Sequence, residues 1–217
     1  MFFLPVLIGC PSDFFSLLRR HRSGLGPAAF RPGMGAARIA SAFRTAAMPF
    51  AFYDRLSPRR KRIYDASDRI EAVPVPGVED LRPLVELIAQ ALAAEHPGAT
   101  EIACQRLLDE LVRRLGVPPV RIKVYKTRPQ VAGGELHGLY EPSGDGTLPK
   151  ISVWMRTAQR RQVVKFRTFL RTVLHELCHH LDYELYRLPE TFHTEGFYKR
   201  ESHLLRQLAG EPPTKAV

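Results

Sequence analysis

From Val163 to Leu185, apolar residues recur at three- and four-residue steps through Phe166, Phe169, Leu170, Val173, Leu174, Leu177, Cys178, Leu181 and Leu185. A stripe this long at helical period predicts a helix, beginning near Gln159, around which the rest of the chain must pack. The same region carries groups that resist burial: "LHELCHHLDYELYRLPETFHTEGF", residues 174–197, holds four of the chain's eight histidines. A central helix with polar chemistry on one side constrains the fold more than any other feature.

His175 and His179 are four residues apart, so on a helix their imidazoles lie one turn apart on one face and can grip a single ion. Glu176, offset by one residue, is near enough to reach a water on that ion. This HExxH spacing suits Zn²⁺ held by neutral imidazoles with one position left open. The carboxylate would take a proton from the activated water as it attacks a polarised carbonyl, and return it to the leaving amine. Cys10, Cys104 and Cys178 form no CxxC pair, so a metal must be held by histidine and carboxylate.

Two histidines leave zinc short of a third protein ligand, and the element after the helix is where to look. His193 stands where "RLPETF" ends and the last helix begins, and a turn can bring it over the first two. Glu201 on that helix is the competitor, giving a two-His, one-Glu set; Glu190 and Glu195 are weaker candidates. His180 should point away, about 100° around the helix from His179. His203 reads as a helix-surface residue, His96 as a loop residue and His137 as a strand residue. Asp182, three residues past His179, can orient a ligand imidazole or form a surface ion pair. Tyr183 and Tyr198 are candidates for an oxyanion donor.

Upstream, "VEDLRPLVELIAQALAAEH" and "ATEIACQRLLDELVRRLG" each show helical period, the second with Thr100 as N-cap and Gly116 as the stop. "VRIKVY" then alternates as a half-buried strand, with "GELHGLYE" and "KISVWM" as shorter strands around the turn-rich "PSGDGTLP". A last helix runs from about Thr194 to Leu208. The order is helix, helix, three strands, helix, helix, an α+β fold.

A helix and small sheet ending in "ISVWM", then "VLHELCH", a loop and "HTEGF", resemble the SprT-like zinc metallopeptidases and related minimal gluzincin-like (zincin) folds, over about residues 100–208. The resemblance implies a zinc metalloendopeptidase with His175, His179 and His193 as Zn²⁺ ligands and Glu176 as general base. In that family the third ligand is a histidine followed four residues later by an aromatic, as His193 and Phe197 are. Thr194 departs from the glycine usual there. The strand before the helix would be an exposed edge, making "KISVWM" the ledge for an extended protein or peptide substrate, with Trp154 lining the cleft or covering the sheet. A non-peptide amide hydrolase would share the site; a regulatory or interaction protein with structural zinc would not need Glu176.

Three segments organise the chain: a leader over 1–47, an N-terminal extension with an amphipathic helix over 48–98, and the zincin-like domain over 99–217. The leader holds six Arg and one acid, and is read as disordered or as upstream of a true start at Met34 or Met48. Its "LIGC" is reminiscent of a lipoprotein signal but lacks a basic n-region, so a cytoplasmic location is expected. "SPRRKR" reads as a solvated turn or helix start. The net charge of +10 is split between leader and remainder and is compatible with nucleic acid nearby; no stretch is long and apolar enough to span a bilayer. Oligomeric state is left open.

Overall fold

Serine and proline open the first helix of the structure, a computed structural model that describes Phe50 and residues 52–210 apart from 132, 133 and 145. Ser57 accepts from the Arg60 N–H and Pro58 occupies the first turn, so "SPRRKR" starts helix α1, Pro58–Asp68. Its apolar side, Ile63 and Tyr64, is buried in a small cluster with Phe192. The expected leader 1–47 and the chain after Gly210 lie outside the described residues.

A left-handed Gly77 leads through a 3₁₀ turn, Val78–Leu81, into α2, Arg82–Ala93. Helix α3, Pro97–Leu115, begins earlier than Thr100 because Pro97 sets the first turn and the His96 imidazole accepts from the Ala99 N–H, making His96 the N-cap. Gly116 ends it in the left-handed conformation, as expected.

Strand β1, Arg121–Thr127, buries Ile122 and Val124 and exposes the alternate residues. "GELHGLYE" is two strands rather than one. Gln130–Val131 (β2) and Gly134–Glu135 (β3) form a small hairpin, while Gly138–Glu141 (β4) joins β1 and Lys150–Arg156 (β5) in a three-stranded sheet of order β1-β5-β4. β5 runs parallel to β1 and antiparallel to β4. "KISVWM" is therefore the central strand, not an edge, and Trp154 stacks on Tyr125 of β1, ring centroids 5.6 Å apart, covering the sheet.

The two edges of this sheet are treated differently. Beside β1, Gln105 and Glu101 of α3 accept from the Ile122 and Val124 N–H groups at 2.9 and 3.0 Å, and Gln105 donates to the Val120 carbonyl. These side chains stand in for a fourth strand and block pairing there. β4 has no further strand on its outer side among the described residues.

The central helix, α4, spans Phe166–Glu184. It starts later than its periodicity predicts because Val163 bridges to Arg156 and the Val164 N–H bonds the Met155 carbonyl, holding that turn against β5. Phe169, Leu170, Val173, Leu174, Leu177 and Leu181 fill the core with Ile151, Val153 and Met155 of β5 and the apolar faces of α2 and α3. The last helix, α5, covers Glu195–Ala209, capped by Thr194 accepting from the Phe197 N–H. The described residues belong to one compact unit, in which residues of the 48–98 stretch share this core with those after 99. The architecture is α+β, with five α-helices among the described residues, none long and apolar enough to cross a membrane.

α1 and α5 pack closely at Gly196, where a Cβ would collide with the backbone of Asp68. Gly196→Ala is expected to destabilise the protein by about 1–3 kcal/mol, lowering the urea midpoint without changing the slope.

Candidate metal centre

Helix α4 presents His175 and His179 on one face, and the loop 185–194 turns back so that His193 lies over them. Their Nε2 atoms converge: His193 is 3.1 Å from His175 and 3.1 Å from His179. His193 and its two neighbours are the one group among the described residues whose ligand atoms are placed to hold a metal ion. Two lone pairs at that separation repel unless a cation or a proton lies between them. Nitrogens on a tetrahedral zinc with bonds of about 2.05 Å would be about 3.3 Å apart, so the spacing fits the ion without rearrangement.

Two of the three imidazoles are oriented from behind. His175 Nδ1 lies 2.8 Å from Glu201 Oε2, and the other Glu201 oxygen accepts from Arg171 at 2.9 Å. Glu201 thus sits on the far side of His175 from the converging nitrogens and orients a ligand candidate instead of joining it. Since a carboxylate here only accepts, Nδ1 carries the proton and Nε2 keeps its lone pair. His179 Nδ1 lies 2.8 Å from the Thr191 hydroxyl, which donates to Asp182 at 2.7 Å. Burial pushes the Asp182 carboxyl up to about 6, with Arg200 and Thr191 opposing. Phe197 packs against all three imidazoles at 4.8–5.1 Å between ring centroids.

Glu176 is fully buried and neither carboxylate oxygen has a well-formed hydrogen bond; the Tyr140 backbone N–H is its one weak partner. Burial pushes its carboxyl up to about 7. Gly138 of β4 lies against it, and any Cβ there would strike the carboxylate. A buried acid so sparsely hydrogen-bonded, one residue from His175, calls for a partner that the surrounding side chains do not supply. Cys178, buried one residue before His179, has its thiol pushed well up and offers no thiolate.

No family model, curated protein or solved structure matches this chain.

The remaining residues singled out in the sequence separate cleanly. His180 turns away from the other three, bonding the Tyr140 hydroxyl at 3.1 Å and the Pro118 carbonyl at 2.9 Å, so it ties β4 to the approach of β1. His137 precedes β4 rather than lying within it, half-buried, and burial lowers its pKa. His203 is half-buried against Val73 and is not a free surface group. Tyr183 stacks on Tyr140, whereas Tyr198 lies beside His193 and His175 at 5.9 and 6.2 Å. Glu190 and Glu195 pair outward with Arg60 and Lys199. Sequence reasoning missed Thr191, Arg200 and Tyr140; the one available signal is that Arg200 falls on the apolar stripe of α5, between Phe197 and Leu204.

Burial pushes the His179 pKa well down and His193 to about 3, with neighbouring imidazoles adding to the effect. Burial also acts to lower His175, but Glu201 and Glu176 outweigh it and the net shift is upward. Of the three, His175 alone is shifted toward its protonated form. Zn²⁺ affinity measured by calorimetry should weaken on acidification by about tenfold per pH unit once His175 takes up its proton, the slope for one proton and not three.

Proposed function

We propose that this chain is a zinc-dependent metallopeptidase of the SprT-like, zincin type, hydrolysing peptide bonds with Glu176 as general base. The observation that carries this reading is the convergence of three imidazole Nε2 atoms, with the buried Glu176 carboxylate, which lacks a side-chain partner, one residue along the helix from His175. His175, His179 and His193 would hold the ion. Bound there, Zn²⁺ supplies Lewis acidity toward a carbonyl oxygen and lowers the pKa of water to about 7.

The chain's own residues account for the proton. A carboxyl brought near neutrality by burial takes up a proton at Oε and releases it to a leaving amine with little penalty in either direction. The backbone at Gly138 presses on the same carboxylate, so its position is fixed by β4 as well as by α4. A site serving only to tie the fold together has no use for such an acid, which favours an enzyme over a structural zinc protein.

The open side of β4 supports a peptide over a small amide. One edge of the sheet is closed by Gln105 and Glu101; the other, β4, whose Gly138 lies against Glu176, pairs with no further strand among the described residues and is the edge left for an extended chain to join. An extended segment laid there would run alongside the strand that packs on the general base.

Glu176→Gln should bind zinc as tightly as the parent and cleave an unfolded protein substrate about 10²–10⁴-fold more slowly. Parental activity in a zinc-loaded Glu176→Gln protein would remove the mechanism. His193→Ala should lose zinc binding, whereas Glu201→Ala should weaken it about 10–100-fold, as for removal of a ligand's orienting partner; metal content of the purified proteins decides this.

A further inference from the structure

A chain of polar contacts runs from His179 to the C-terminal end of α1. The Thr191 hydroxyl lies 2.8 Å from His179 Nδ1 and donates to Asp182 Oδ2 at 2.7 Å. Asp182 Oδ1 accepts from Arg200 Nη2 at 2.7 Å, and both side chains of this ion pair are fully buried. Arg200 in turn donates to the Ser67 and Ile70 carbonyls at 2.7 and 2.6 Å and to the Ser67 hydroxyl at 3.1 Å. Those acceptors lie at and just after the C-terminal end of α1, where backbone carbonyls point outward and favour a cation.

Arg200 has only donors, so Asp182 accepts from it as a carboxylate, and accepts again from Thr191. A hydroxyl has one proton, and Thr191 has given it to Asp182. What Thr191 turns to His179 is a lone pair, so Nδ1 must be the protonated nitrogen. Nε2, facing His193, is left bare. The chain of contacts thus selects the tautomer that a metal needs, and it also holds the loop two residues before His193.

We propose that Thr191, Asp182 and Arg200 form a positioning relay that fixes His179 as a metal ligand, and that the end of α1 seats this relay and so belongs to the metal centre. Without the hydroxyl, His179 has nothing at Nδ1 to choose between its tautomers, and the one with a proton on Nε2 cannot bind metal. The proposal rests on the reading of the three histidines as ligands.

The test uses the full chain with Thr191→Val, which keeps the shape and loses the hydroxyl, and Thr191→Ser, which keeps the hydroxyl and loses a methyl group. Zn²⁺ affinity is measured by chelator competition at neutral pH, and the visible absorption of the Co²⁺-loaded proteins reports ligand geometry. Thr191→Val should bind Zn²⁺ about 10–100-fold more weakly with altered Co²⁺ bands, and Thr191→Ser should stay within a few-fold of the parent with parental bands. Ser67→Ala, which removes the hydroxyl contact to Arg200, should shift affinity in the same direction by a smaller factor. If threonine serves only to fill space, the order reverses: valine is neutral and serine is the damaged variant. Parental affinity and bands in Thr191→Val overturn the relay while leaving the metal centre standing. A parent that takes up no Zn²⁺, or a His175→Ala variant that binds it equally well, overturns the metal centre and the relay with it.

Discussion

Five polar side chains, His175, Glu176, His179, His180 and Asp182, are buried within two turns of a helix that forms the middle of the hydrophobic core. Each such group left without a partner costs on the order of 1–3 kcal/mol, so the surrounding elements are arranged to supply them. Glu201 comes from α5, Thr191 from the loop, Tyr140 from β4, the Pro118 carbonyl from before β1, and Arg200 from α5 again. Four of the five are satisfied by side chains or backbone from elsewhere in the chain. The exception is Glu176, whose carboxylate neighbours His175, one of the three imidazoles that converge.

The same demand explains why the polar groups divide into two sides. His175, His179 and, from the loop, His193 face one another, while His180 and Asp182 face opposite anchors. Two of the three converging imidazoles are backed by a chain ending in an acid paired with an arginine: Glu201 with Arg171, and Asp182 with Arg200. The first arginine is partly exposed and the second fully buried. Solvent screens the Arg171 end of the first pair, whereas both charges of the second are out of water. The His179 side of the centre is accordingly the more rigidly fixed.

What could be read from residues alone follows the reach of each signal. Periodicity located the helices now numbered α2 to α5 and the three strands of the main sheet, because burial of one face is written locally, but not the small hairpin at Gln130–Val131 and Gly134–Glu135. The helical period ran too far back, to Gln159, since a turn pinned to β5 by backbone bonds keeps apolar residues inward without being helix. Strand order was not legible: nothing in "KISVWM" says that β1 and β4 flank it, and its near-continuous burial becomes explicable only once it is central. The HExxH spacing placed His175, Glu176 and His179 together, because four residues on a helix is a local distance. Glu201 as ligand or as backing for His175 is a choice between two sides of one imidazole, and only the packing of α5 against α4 makes it. Thr191 and Arg200 were missed for the same reason, their partners being supplied by Asp182 and by a helix far upstream.

The seat of Arg200 on Ser67 and Ile70 has a consequence in time. Ser67 and Ile70 leave the ribosome early, but the guanidinium that they receive comes from the last helix described, so these contacts close one of the longest loops among the described residues and form late. A nascent chain that already displays the HExxH helix still lacks both the loop histidine and the arginine that completes its surroundings. Synthesis itself therefore keeps the centre unfinished until α5 has been made.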